Sequence, residues 1–257
     1  MLIHGSKIRG CSIGATDGEI GSISDLLFDD ASWRIRWLVV DSGNIFPGRK
    51  VLIPPSALSL VNHIGHQFAV RLTKQQIKDS PGVDTDKPVS RAMETGLYDY
   101  YGWAPYFSTG FYMGGYTYAG FPIEPSAITS RPRDVPHQNA DQTSDGTQLR
   151  SAHEVGGYHI HASDGGIGHV ADFLIEDGDW SIHYLVVDTR DWWPGKTVLV
   201  SPRSVRKTDW SARTVDLDIT RQQIKDSPPY DGSQAIDRAY EYKFHGYYNG
   251  VRVPEPV

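Results

Sequence analysis

The 257-residue chain has a single cysteine, Cys11, which excludes an intrachain disulfide and a thiolate zinc cage. Long apolar runs are also missing. The longest, such as Trp37-Leu38-Val39-Val40, cover about four residues, where a membrane-spanning helix takes about 20. The opening Met1-Leu2-Ile3-His4-Gly5 has no basic segment followed by an apolar stretch, so no signal peptide is expected. There is no basic excess. Residues 1–102 hold 11 basic and 11 acidic side chains, 103–150 hold 3 and 4, and 151–257 hold 11 and 16. That balance argues against nucleic acid as a partner, because displacing counterions from phosphates needs a basic face. No glycine-rich phosphate loop, nucleophile elbow or kinase-like motif set occurs. A soluble, cytoplasmic, non-catalytic protein without a cofactor is expected.

What the sequence does have is a repeat at a constant offset of 147 residues. Asp17-Gly18-Glu19-Ile20-Gly21 returns as Asp164-Gly165-Gly166-Ile167-Gly168, and Leu38-Val39-Val40-Asp41 as Leu185-Val186-Val187-Asp188. Pro47-Gly48 returns as Pro194-Gly195, and Gln75-Gln76-Ile77-Lys78-Asp79-Ser80-Pro81 as Gln222-Gln223-Ile224-Lys225-Asp226-Ser227-Pro228. Over residues 16–81 and 163–228, 26 of 66 positions are identical without a gap. The expected organisation is one domain over 1–102, a linker over 103–150, a second domain over 151–249 and a tail over 250–257.

Each unit reads as mainly β. Residues 20–29 and 167–176 follow an Asp-Gly turn signal, and Trp33-Arg34-Ile35-Arg36-Trp37 alternates with the period of a half-buried strand. Leu38-Val39-Val40 is apolar on both faces, so that end should be covered from two sides. Thr73 with Gln76, and Thr220 with Gln223, have capping-box spacing and predict a short helix stopped by Pro81 or Pro228. The expected fold is therefore two tandem small β-barrels, each with a short C-terminal helix and an aromatic-rich arm; a two-sheet sandwich is the alternative. Closure would remove the exposed sheet edges.

Eleven of the 29 aromatics fall in residues 98–121, and a second arm carries Tyr240, Tyr242, Phe244, Tyr247 and Tyr248. Such arms can fold back and complete an undersized core, or offer contact area to a partner. Phe111, Tyr112, Tyr116 and Tyr118 have no counterpart after the second unit and are the better partner-binding candidates, together with the Trp192-Trp193 pair. Residues 124–150 are polar, lack periodicity and read as a flexible linker.

These motifs, in order and twice over, resemble the PRC-barrel family, named after the cytoplasmic domain of the photosynthetic reaction-centre H subunit. The resemblance rests on the Asp-Gly-x-Ile-Gly opening, the Leu-Val-Val-Asp strand, Val51-Leu52-Ile53-Pro54-Pro55, the Leu72-Thr73-Lys74-Gln75-Gln76-Ile77 helix start and Tyr100-Tyr101-Gly102-Trp103. It covers nearly all of 1–103 and 154–248. It implies an interaction and assembly module, with a protein partner or self-association and no catalytic residues to carry over. A related barrel occurs in ribosome-maturation factors, which implies an RNA-associated role as the alternative. The second unit departs where Pro54 becomes Ser201 and where the ending reads Gly246-Tyr247-Tyr248-Asn249.

The remaining chemistry is sparse. His159, His161, His169 and His183 could converge with Asp172 on a metal, but the first unit has Ser12, Gly14, Ser22 and Arg36 there, so surface histidines are the expectation. Asp17, Asp25 and Asp41 persist as Asp164, Asp172 and Asp188, beside glycine or at strand ends, where they are expected to bond nearby backbone amides. Arg34 and Arg36, interleaved with Trp33 and Trp37, could clamp single-stranded RNA.

Overall fold

The computed structural model describes residues 1–43, 49–62, 67–81, 89–103, 105–107, 149–189, 196–228, 230–232, 236 and 238–250. The first half runs β1 (Leu2–His4), α1 (Gly5–Ile8), β2 (Ser12–Ala15), β3 (Gly18–Asp29), β4 (Arg34–Asp41), β5 (Lys50–Ile53), β6 (Leu58–Asn62), β7 (Gln67–Val70), α2 (Lys74–Lys78) and α3 (Arg91–Tyr101). The second runs β8 (Leu149–Ser151), α4 (Ala152–Val155), β9 (His159–Ala162), β10 (Gly165–Glu176), β11 (Ile182–Asp188), β12 (Thr197–Val200), β13 (Val205–Asp209), β14 (Thr214–Leu217), α5 (Arg221–Lys225) and α6 (Arg238–Gly250). The offset that relates the sequences relates these elements too.

Two mixed sheets result, ordered β5-β4-β3-β2-β7-β6 and β12-β11-β10-β9-β14-β13, with β2–β7 and β9–β14 the parallel pairs. Neither closes into the expected barrel. Closure needs β5 to pair β6, and β12 to pair β13. Instead a 3-10 turn, Pro55–Ala57 or Pro202–Ser204, joins the two end strands. Pro54, Pro55 and Pro202 have no N–H to give a ladder at that corner.

The seventh strand of each sheet comes from the other half. β1 lies antiparallel on β10, with His4 opposite Leu174, and β8 lies antiparallel on β3, with Ser151 opposite Leu27. Leu149 and Arg150, placed in the linker by composition, are thus part of a sheet. The halves also cross at Arg34 and Ser181, positions equivalent under the repeat. Trp33 and Trp180 have left-handed φ of 52° and 59°, uncommon for a bulky residue. That turn aims each tryptophan carbonyl across the junction: Ile35 N–H donates to Trp180 O at 2.8 Å, and Ile182 N–H to Trp33 O at 2.7 Å.

One hydrophobic cluster takes Ile23, Phe28 and Ile35 from the first half and Phe173, Trp180 and Ile182 from the second. Two self-contained cores are therefore replaced by a shared one. Phe28 meets Phe173, and Phe68 meets Trp180, at ring-centroid distances of 6.0 and 6.2 Å. The far face of β4 carries a separate cluster in which Trp37, Val39 and Leu52 pack under Leu97 and Tyr98 of α3. Leu38-Val39-Val40 is covered on both sides, as its composition predicts. Both capping boxes form, at Thr73–Gln76 and Thr220–Gln223.

Candidate functional site

The repeated aspartates are the first candidates, and most of them hold the scaffold. Asp17 and Asp164 accept the Lys74 and Arg221 amides at 2.8 and 2.7 Å, fixing the first turn of α2 and α5 to the Asp-Gly loop. Asp25 and Asp172 do more than bond nearby amides. Asp25 accepts Ser151 Oγ at 2.5 Å and the His153 amide at 3.0 Å; Asp172 accepts Ser6 Oγ at 2.5 Å and the Ser6 amide at 3.0 Å. Each also accepts its own next amide, Leu26 or Phe173. Each carboxylate clasps the arm that the opposite half inserts. Asp41 accepts the Gly43 amide at 2.9 Å, and Asp188 is buried.

Asp172 has one further partner. His4 Nδ1 stands 2.9 Å from its Oδ2, and His4 Nε2 stands 2.7 Å from Tyr230 Oη. A carboxylate only accepts, so Nδ1–H donates to Asp172 and Nε2 takes the tyrosine O–H. Burial pushes the Asp172 carboxyl up, but the bonds from His4, Ser6 and Phe173 outweigh it and hold it below its usual range. Ser6 Oγ bonds the carboxylate rather than the imidazole, so it is not placed as a serine nucleophile on His4. The triad-like trio is a clasp. The Cys11 thiol is buried, which raises its pKa.

Glycines at the signature positions answer a close approach. A Cβ on Gly21 would lie 2.0 Å from Asp41 O, and on Gly168 1.8 Å from Asp188 O. Gly18 and Gly165 open β3 and β10 after the Asp-Gly turn. Pro47, Gly48, Trp192, Trp193, Pro194 and Gly195, and also Phe111, Tyr112, Tyr116 and Tyr118, lie outside the described residues.

His159 and His161 share the exposed face of β9, His169 faces His159 across the β9–β10 ladder, and His161 Nδ1 is 3.5 Å from Asp216. His183 sits apart, 3.8 Å from Glu241. Asp172, the carboxylate expected to join them, is engaged with His4. Among the described residues, no group of three or more histidine, cysteine or acidic side chains is placed to hold a metal. The arginine–tryptophan alternation forms no clamp for RNA bases either. Trp37 is buried, Trp33 stacks on Phe28, and Arg34 pairs with Asp179 at 2.6 Å.

The arms do fold back. Tyr106 lies under the Arg36 guanidinium, 3.8 Å from ring centroid to Cζ, and its hydroxyl donates to Glu94 at 3.2 Å. Glu94 is buried and also accepts Trp37 Nε1–H at 2.8 Å. Burial pushes its carboxyl up, against the pull of Trp37, Arg91 and Tyr106. In the second half Phe244 packs edge-on against Tyr184, at 4.7 Å between centroids.

Two related clefts run along the junction. The smaller, about 360 Å³, lies between Arg36 and Pro54–Ser56 on one side and 178–180 on the other, with Tyr98 and Tyr106 in its wall. Its equivalent measures about 880 Å³, between the 30–33 turn of the first half and residues 181–184 and 201–210 of the second. Arg203, Arg206 and Lys207 line it. The acids there are matched: Asp30 by Arg150 at 3.1 Å and Asp179 by Arg34. The sequence reading missed this cleft, although the alignment carries a signal for it. The three cations stand where the first unit has Ser56, Ser59 and Leu60.

Comparison with known proteins finds a match at the N-terminal half. Residues 1–77 match the PRC-barrel domain model. An uncharacterized protein of Deinococcus radiodurans is 31% identical over 88 residues, which is 34% of this chain and 31% of that protein. The chain thus spans about a third of the length of that relative. Among the described residues, no helix is long and apolar enough to cross a membrane.

Proposed function

We propose that this chain is a non-catalytic interaction and assembly module made of two PRC-barrel units, the second included, acting in the cytoplasm. The observation that carries the reading is the reciprocal strand exchange. It fixes two copies of one scaffold rigidly against each other and builds the junction clefts from both. The second unit is assigned to the same domain because its elements repeat the first at one offset, down to both capping boxes. The repeated carboxylates are spent on clasps and helix caps, and the one His–Asp pair ends on a tyrosine hydroxyl, which supports a role without chemistry. The RNA-associated alternative loses its stacking platform with the burial of Trp37. Crosslinking followed by affinity purification from the expressing cell should return the same protein partner, or the chain itself, repeatedly. Failure to recover either over independent preparations overturns the reading.

A further inference from the structure

β13 ends its sheet path and pairs only with β14, so among the described residues its other edge is open. Side chains on a strand point alternately to opposite faces. Yet the consecutive residues Val205, Arg206, Lys207 and Thr208 all line the larger cleft. A bulge at Arg206 breaks the alternation there, but four lining residues in turn still bring the cavity to the strand's edge. Among the described residues that edge has no ladder partner, so its outward backbone N–H and C=O groups are a template for an added strand.

The charges indicate what that strand carries. Arg203, Arg206 and Lys207 are exposed, while Asp30 and Asp179 already face Arg150 and Arg34. Lys207 has only a loose pair, 3.9 Å to Asp209. The cationic wall of the cleft therefore belongs to the half that holds most of the chain's negative charge. The counterpart cleft shows how the space can be used: Tyr106 stands in its wall, its ring held by Arg36.

We infer that the larger cleft docks an extended acidic segment of a partner protein. The segment pairs with the edge of β13, sets its carboxylates on Arg203, Arg206 and Lys207, and seats an aromatic side chain in the space Tyr106 takes in the other half. An edge strand favours a peptide over a nucleic acid, which cannot continue a backbone ladder. This rests on the interaction-module reading and gives it a site.

The test uses the full chain and a fluorescein-labelled 12-residue peptide of alternating aspartate and threonine with a central tyrosine, followed by anisotropy. Saturable binding is expected, weakening at least about tenfold with the triple variant R203E/R206E/K207E and with an asparagine-for-aspartate peptide. These side chains are exposed, so the variant should melt like the wild type, which is checked in parallel. N-methylation of alternate peptide amides should also abolish binding by removing the ladder. Absence of binding to the wild type, or equal binding by the triple variant, overturns the inference. So does tighter binding of a single-stranded oligonucleotide of equal charge. If the triple variant still captures the partner recovered by the wild type in the crosslinking experiment, the cleft assignment falls and the module reading stands. If the wild type captures nothing, the module reading falls, and the peptide titration still decides the cleft.

Discussion

The two halves share a frame and differ in what fills it. In the first, an arm from α3 carries Tyr106 into the junction groove, over a buried Glu94 and under Arg36. In the second, His183 and Glu241 stand at the places of Arg36 and Glu94 with 3.8 Å between them, and the equivalent cleft is more than twice as large. The parts that lock the halves together are the same in both: the Asp25 and Asp172 clasps and the tryptophan crossing.

The comparison can be broken hardest at the glycines. Gly21→Ala and Gly168→Ala each drive a methyl into a backbone carbonyl at 2.0 or 1.8 Å. Each should cost about 3 kcal/mol or more, and nearly the same in both halves, read as a fall of roughly 6–12 °C in melting temperature. A mild effect in one half alone would mean that the frames are not equivalent.

The clasps should be unequal. Asp172→Ala strands His4 and Ser6 in partly buried surroundings and should cost about 2–3 kcal/mol, while Asp25→Ala, which loses a serine hydroxyl and backbone amides but no imidazole, should cost about 1–2 kcal/mol. Urea unfolding of the two variants ranks them.

Acid sharpens the contrast, because the buried carboxyls are shifted in opposite directions. Asp172 is depressed, so its contribution is present above 3.8, its unfolded value, and is lost as pH falls through the lower folded value. Glu94 is raised above 4.5, so folding prefers its protonated form, and that preference fades as pH rises through the folded value. Glu94→Gln should therefore match or exceed wild-type stability at pH 7, and that advantage should shrink as the pH falls toward 5. Denaturant midpoints at the two pH values check it. The smallest effect belongs to Thr73→Ala and Thr220→Ala, about 1 kcal/mol each and equal, since both capping boxes have the same geometry.

Local pattern made much of this legible. The strand alternation, the Asp-Gly turns, the capping boxes and the two-sided burial of Leu38-Val39-Val40 are properties of short windows, and all appear in place. The arm helices were legible but unread. Glu94, Leu97, Tyr98 and Tyr101 keep helical spacing, as do Tyr240, Phe244, Tyr247 and Tyr248, beneath the more conspicuous count of aromatics. The exchange was not legible. Leu2-Ile3-His4 and Leu149-Arg150-Ser151 are three-residue strands whose composition says nothing about which sheet receives them. Asp25 and Asp172 gave no sign that their partners lie 126 and 166 residues away. Openness of the sheets followed from one corner, where a proline-bearing turn replaces a ladder that alternation alone would allow.

The crossing of β1 and β8 also sets an order of events at the ribosome. When the first half has emerged, its sheet still lacks the edge strand that begins at Leu149, and β1 waits for Glu176 to be made. At about 5–20 residues per second that wait lasts seconds, with the β8-pairing edge of β3 uncovered and open to pairing with a neighbouring nascent chain. Lengthening the stretch of sequence between the halves should prolong the exposure, and production on crowded polysomes should then yield intertwined dimers before any change in the finished fold is seen.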